Sequence, residues 1–566
     1  MALERYGSWP NVAAMMFARS REWPDQPMLR WHRDGAWHGM RWGAFGRAAA
    51  STARRLRALG VAPGDRVLIV SENRPEFPIA ETALLAIRAV PVPTYTTNTV
   101  GDHAHVLRDS GARVAIVSQG AFAERVAEAG PLDRIITMEP FASPRISVTP
   151  WGELIGDDAP IDDVVAEAAG IAPGTMACII YTSGTAGAPR GVMLPHRALL
   201  ANCYGAFELV RPLALNRETY LSFLPLSHSY EHLAGQFFLL SIGTEVVYSR
   251  GVEHLASDMT VVRPTVMTVV PRILDVIRSR ILAQVAREPA WRQALFQRAI
   301  AVGAARGEGL PVALADRVLD PLLERLVRRR VRARFGGRLR VMMSGGARLE
   351  PEVGKFYLGL GIAMLQGYGQ TEAGPVISAN TAGAARIATV GRPLPGVEVR
   401  IAEDGEILVR GDLVMDGYWG KPEETARAMV DGWLRTGDVG QLDERGFLTI
   451  TDRKKDLIVL SGGENVSPAR IEGMLVAEPA IAQACVFGEG RAGIAALAVA
   501  AEGFDEVAVA AAVSMVNKRL SVTERVRRHA VVAPFTLQNG MLTPSHKVKR
   551  HEVVREYGKV LERLMA

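Results

Sequence analysis

Tyr181-Thr182-Ser183-Gly184-Thr185-Ala186-Gly187-Ala188-Pro189-Arg190-Gly191 directly follows the short apolar run Cys178-Ile179-Ile180, which reads as a buried strand. Three aliphatic hydroxyls and three glycines crowd this loop, and a fixed positive charge sits near its end. Such a loop can wrap a polyphosphate: glycines let the backbone approach, amides and hydroxyls donate, and the guanidinium neutralises charge. It is not the common nucleotide P-loop, which closes on Gly-Lys-Ser/Thr, whereas this one closes on Pro189-Arg190-Gly191. Taken alone, the stretch reads equally well as a surface turn of small residues.

The downstream chain breaks that tie. It carries Ser344-Gly345-Gly346, Gly367-Tyr368-Gly369-Gln370-Thr371-Glu372 and Thr436-Gly437-Asp438. Asp452-Arg453-Lys454-Lys455-Asp456, Ser461-Gly462-Gly463-Glu464-Asn465 and Thr543-Pro544-Ser545-His546-Lys547-Val548-Lys549-Arg550 follow. In this order the set resembles the adenylate-forming superfamily of acyl-CoA synthetases, aryl-CoA ligases, luciferases and peptide-synthetase adenylation domains. The resemblance runs from about Arg41 to about Tyr557. Leu224-Pro225-Leu226-Ser227-His228-Ser229-Tyr230-Glu231-His232 and Leu542-Thr543-Pro544 resemble bacterial long-chain fatty acyl-CoA synthetases in particular.

A chain of 566 residues exceeds one compact core, and its 48% hydrophobic content supports ample burial. Strand-like Arg66 to Val70 and Val114 to Val117 alternate with helix-like Glu76 to Arg88, the rhythm of an α/β architecture. Thr265 to Val270, Leu339 to Met343 and Ile362 to Leu365 suit a buried parallel sheet. From Val397 onward short strands alternate with turns such as Glu403-Asp404-Gly405-Glu406 and Asp443-Glu444-Arg445-Gly446. The expected fold is therefore a large N-terminal α/β domain, residues 1–451, with a β-rich subdomain from about 390. A small α+β C-terminal domain, residues 457–566, is expected to follow. The resemblance makes residues 452–456 the hinge on which that domain swings.

No segment has the unbroken apolar span of a transmembrane helix, and the N-terminus lacks the apolar core of a signal peptide. Cys178, Cys203 and Cys485 form no metal pattern, which fits a reducing cytoplasm. The net charge of +6 is modest for this length. Eight arginines do cluster between Arg325 and Arg340, yet Phe335 is the sole aromatic among them, which argues against nucleic acid. A solvated helix face is the simpler reading. The sharper one is a surface around Arg328, Arg329 and Arg330 that meets anionic lipid or the phosphates of coenzyme A, a peripheral contact at the inner face of the membrane. A homodimer stays open.

The resemblance implies two reactions at one site. A carboxylate attacks the α-phosphorus of ATP and expels pyrophosphate; a thiol then attacks the acyl carbon and expels AMP. On this pattern Thr182, Ser183, Gly184, Thr185, Gly187 and Arg190 hold the outgoing phosphates. Gly345 and Gly346 belong to the nucleotide-binding set. Glu372 binds Mg²⁺, Thr371 offers its hydroxyl to the α-phosphate, and Tyr368 lies against the adenine. Asp438 accepts both ribose hydroxyls, and Arg453 reinforces that grip. Lys547 supplies the electrostatic catalysis of adenylation. Rotation about Lys455 then brings Gly462 and Gly463 to a tunnel for the pantetheine arm of coenzyme A, with His228 as gate. Two departures stand out: Arg190 replaces the family's usual lysine, and Ala186 a common hydroxyl. Arginine keeps the charge and can grip phosphate bidentately. The expected activity is long-chain fatty acid–CoA ligation. The rivals are a fatty acyl-AMP ligase that loads a carrier protein, an aryl-CoA ligase, a catalytically silent ATP-binding regulator and, weakest, a P-loop ATPase.

Overall fold

The computed structural model describes residues 6–565 except 157–158, 183–187, 216, 383–384, 455–456, 463, 537 and 543–547. Its N-terminal part is built on two sheets whose central strands are parallel. Val67, Leu68, Ile69 and Val70 are all buried, as a strand covered on both faces must be. That strand, Arg66–Val70, lies between Val90–Thr94 and Val114–Val117, and Arg134–Thr137 and Ser147–Pro150 complete a parallel five-stranded sheet. The helix Val100–Ser110 beside it opens on a reciprocal cap between Thr99 and Asp102, and Gly111 ends it in the left-handed region.

The second sheet has nine strands. At its centre Glu245–Tyr248, Thr219–Ser222, Val266–Val269, Val341–Ser344 and Ala363–Gly369 run parallel, with antiparallel pairs at both edges. The apolar runs expected at 265–270, 339–343 and 362–365 fall on adjacent central strands. Their carboxyl ends open side by side, the position where open α/β sheets bind ligands.

From Glu398 the chain forms a five-stranded antiparallel sheet that ends with Leu448–Arg453. Residues from Ile458 onward carry two hydrophobic clusters of their own. These pack around the sheet Ile481–Phe487, Ile494–Ala500 and Val526–Val531 and the helices Glu506–Asn517 and Arg550–Met565. Among the described residues no helix is long and apolar enough to cross a membrane. All three cysteines are buried and unpaired.

The arginine cluster needs one correction. Arg328 does not belong to a surface: it is buried, its Nε donates to the Ala299 carbonyl at 3.1 Å, and its guanidinium pairs with Asp320. Arg332 likewise bonds Glu324 and the Leu360 carbonyl. The run of identical residues hides two environments, because the helix turns some of them inward.

Candidate active site

The strand Met176–Thr182 and the strand Arg190–Pro195 pair antiparallel, with Thr182 opposite Arg190. The two strands form a hairpin, and Thr182 and Arg190 face each other at the end from which the glycine-rich stretch departs. Thr182 Oγ1 is buried and has no hydrogen-bond partner among the described residues. An orphaned buried hydroxyl costs free energy unless a ligand supplies the missing bond. Ser183, Gly184, Thr185 and Gly187 lie outside the described residues.

A third strand, Gly417–Tyr418, pairs beside Arg190–Pro195 and brings Tyr418 alongside Arg190. The Arg190 guanidinium lies 4.1 Å from the Tyr418 ring centroid, and its Nη1 donates to Glu424 Oε2 at 3.1 Å. Its Nη2 stands 3.8 Å from Glu372 Oε1. The Tyr418 hydroxyl donates to that same Glu372 oxygen at 2.9 Å. Burial, then the Glu372 charge, pushes the Tyr418 phenol above its ordinary value, so it stays a donor. Glu372 is itself buried. Neither Tyr418 nor Glu424 belongs to a motif legible in the sequence, where a glycine before the adjacent aromatics Tyr418 and Trp419 is the one local trace.

The nine-stranded sheet supplies the remaining polar groups. The strand Ala363–Gly369 delivers Tyr368, and the short helix Thr371–Ala373 after it carries Thr371 and Glu372. Thr371 Oγ1 lies 2.8 Å from Ser229 Oγ. After the strand Val341–Ser344, Gly345 packs flat against the Tyr230 ring: a Cβ there would lie 3.1 Å from Tyr230 Cζ. Gly346 follows in the left-handed region. The Tyr230 hydroxyl donates to the Met343 carbonyl at 2.7 Å, which fixes the ring. Asn73 braces the loop that leads to His228, donating to the Leu224 carbonyl at 2.7 Å and accepting from Leu226 N–H at 3.0 Å. His228 Nδ1 accepts the Tyr230 N–H at 3.2 Å, and its ring lies 6.5 Å from that of Tyr95.

The antiparallel sheet closes the arrangement. Within the strand Trp433–Leu442, Gly437 takes a φ of +72°, a kink that no side-chain-bearing residue adopts readily. Beyond it Asp438 is buried and stands in register with Arg453. Tyr368 donates to Asp438 Oδ2 at 2.7 Å, and Arg453 Nε donates to Oδ1 at 2.9 Å. Burial, then the Asp438 charge, holds the Tyr368 phenol well above its ordinary value. Gly462 sits in an exposed turn. Lys455, Gly463 and Lys547 lie outside the described residues.

Beneath this surface Glu231 is buried and accepts hydroxyls from Tyr220 at 2.5 Å, Ser222 at 2.6 Å and Thr268 at 2.7 Å. Those donors favour the carboxylate, but burial outweighs them and raises its pKa to about 7. A carboxyl raised by folding stabilises most below its unfolded value, and that contribution fades as pH climbs through 7. The window is roughly pH 4.5 to 7. His103 and His196, each pushed down to about 4 by burial, act in the opposite sense. The difference between wild type and Glu231→Gln isolates the effect. Wild type should lose melting temperature relative to the variant between pH 5 and 8, and a constant difference would refute the assignment.

The chain from residue 16 to residue 419 matches the AMP-binding enzyme family, and residues 455–566 match the C-terminal domain of AMP-binding enzymes. The chain belongs to the AMP-binding enzyme family. It is 35% identical over 511 residues to the long-chain-fatty-acid–CoA ligase FadD15 of Mycobacterium tuberculosis, covering 87% of this chain and 82% of that one. A feruloyl-CoA synthase from Amycolatopsis sp is 31% identical over 511 residues, 85% of each chain. The fold is shared with a benzoate CoA ligase from Burkholderia xenovorans, at a TM-score of 0.73, 23% identity and coverage of 96% and 99%. Within the AMP-binding enzymes this chain is an AMP-forming acid–thiol ligase.

Proposed function

We propose that this chain activates a long-chain fatty acid as acyl-AMP and then transfers the acyl group to coenzyme A. The observation that carries the reading is a convergence on Tyr368, Thr371 and Glu372, at the carboxyl end of the strand Ala363–Gly369: Arg190, opposite Thr182 in its hairpin, faces Glu372, and Asp438 of the antiparallel sheet bonds Tyr368. The choice of acid rests on the 35% identity to a long-chain ligase.

In adenylation the carboxylate oxygen bonds to the α-phosphorus, and the bond to pyrophosphate breaks. Thr182 and Arg190 bind the departing phosphates, Arg190 leaving Glu424 to do so. Thr371 donates to the α-phosphate. Asp438, already aimed by Tyr368 and Arg453, accepts the ribose hydroxyls through its remaining lone pairs. Among the described residues no three His, Cys, Asp or Glu side chains converge as a metal site. Glu372 offers one hard oxygen donor, which suits Mg²⁺, an ion that takes its other ligands from phosphate and water. Glu372 would hold Mg²⁺, which would supply positive charge against the phosphates. Residues 452–456 act as the hinge, Lys455 among them. Rotation there withdraws Lys547 and brings Gly462 and Gly463 to the acyl group, where the thiol attacks and AMP leaves. His228, which lies beside Tyr95, is the gate in this reading.

A panel of carboxylic acids with ATP, Mg²⁺ and coenzyme A, read as AMP and thioester, tests the whole reading. An apolar acyl pocket gains about 0.8 kcal/mol per buried methylene, so kcat/KM should rise about fourfold per methylene until the pocket is full. The feruloyl-CoA synthase relative makes aromatic acids the second reading, and a preference for ferulate or benzoate over fatty acids would replace the first. Thioester formed only on a phosphopantetheinylated carrier would instead identify an acyl-AMP ligase.

A further inference from the structure

We propose that the outer side of the helix spanning residues 314–335 is a docking face for an anionic lipid surface. Leu314, Val318 and Leu322 are 77%, 73% and 50% exposed, and spacing by four aligns them in one solvent-facing stripe. The opposite side is firmly seated: Leu323 and Val327 are buried in the core. Buried Asp320 pairs with both Arg306 and Arg328. The stripe therefore cannot roll inward to hide.

Charge identifies the partner. Between residues 314 and 340 nine arginines face three carboxylates. All three carboxylates are paired: Asp316 with Arg298, Asp320 as above, and Glu324 with Arg328 and Arg332. Arg317, Arg325, Arg329 and Arg330 are exposed, and no carboxylate among the described residues pairs with them. An apolar helical stripe rimmed by uncompensated arginines matches what an anionic lipid interface rewards: leucines enter the acyl boundary while guanidiniums stay at the headgroups. A second copy of this chain fits poorly, because a twofold contact through the stripe would bring two sets of uncompensated arginines into one interface. Nucleic acid fits poorly too. It would leave the leucines in water, and Phe335, the one aromatic of the segment, is buried and offers no stacking face.

The inference does not depend on which acid the site activates. The full chain is mixed with phosphatidylglycerol or phosphatidylcholine vesicles and sedimented. Wild type should partition onto phosphatidylglycerol, weaken with added salt, and ignore phosphatidylcholine. Leu314→Glu with Leu322→Glu should lower partitioning by about tenfold or more, and Arg325→Gln and Arg329→Gln by about fivefold each. All variants should keep wild-type activity on a water-soluble acid without vesicles, which shows that they fold. Failure of wild type to bind phosphatidylglycerol overturns the proposal. So does a loss confined to the arginine variants, which would mark a general polyanion surface. A dimer of wild type that the leucine variants dissolve would reassign the face to self-association.

Discussion

Lys547→Ala is expected to slow acyl-adenylate formation by about 10²- to 10³-fold, the scale of removing one donor that stabilises transition-state charge. Attack of a carboxylate on a phosphate brings two anions together, and negative charge concentrates on the entering oxygen and the α-phosphoryl oxygens. Arg190 and Arg453, the cations that the geometry sets beside the candidate nucleotide site, are already committed. Arg190 is taken up by the departing phosphates, and Arg453 is held by Asp438. A further positive charge must come from another part of the chain, and family position assigns it to Lys547. The residues flanking it pair with each other: Leu542 bridges antiparallel to Val548, and Lys549 N–H donates to the Met541 carbonyl at 2.8 Å. Carboxylate-dependent ATP–pyrophosphate exchange reads the first half-reaction, and thioester formation from synthetic acyl-adenylate reads the second. The variant should fail the first and retain the second. Equal loss in both would remove Lys547 from its assigned step, and an equal effect of Lys549→Ala would reduce the segment to a basic surface.

How much of this was legible in the chain depends on where each contact is encoded. Tyr368, Thr371 and Glu372 belong to one short motif, Gly367 to Glu372, so one strand end and one short helix deliver them together. The central parallel strands could be read because burial on both faces leaves unbroken apolar runs such as Val67 to Val70. Tyr418, Glu424 and Ser229 were invisible for the opposite reason. Each acts through a partner far along the chain: Arg190 meets Glu424 across 234 positions, and Ser229 meets Thr371 across 142. Nothing local marks such a residue until the three-stranded sheet or the central strands bring it home. Arg328 looks like part of a surface only when charge is counted without helical phase. Asp320, eight positions earlier, shares its inward side and takes it out of solvent. The arginines that remain outside are legible as a surface only beside Leu314, Val318 and Leu322, whose exposure no hydropathy pattern announces.

Asp438→Ala is expected to weaken AMP and ATP binding by about 10²-fold, since a hydrogen bond to a charged group is worth about 1.5–3 kcal/mol and two ribose hydroxyls are involved. The rival account is purely structural. Tyr368 and Arg453 already bond one carboxylate oxygen each, at 2.7 Å and 2.9 Å, so Asp438 could serve only to tie the antiparallel sheet to the strand Ala363–Gly369. The two accounts part on what the nucleotide does. A structural tie predicts a lower melting temperature and an unchanged dissociation constant for AMP in whatever protein remains folded. A ribose anchor predicts that AMP raises the melting temperature of wild type and leaves that of Asp438→Ala unmoved, because only a ligand that binds the native state stabilises it. Tyr368→Phe sharpens the distinction: it removes the same tie from the other side and keeps the carboxylate. Its dissociation constant for AMP should stay close to wild type if Asp438 holds the ribose. If Tyr368→Phe and Asp438→Ala lose AMP equally, the hydroxyl–carboxylate bond is the essential element, and Asp438 acts by holding Tyr368 in place and not by gripping the ribose.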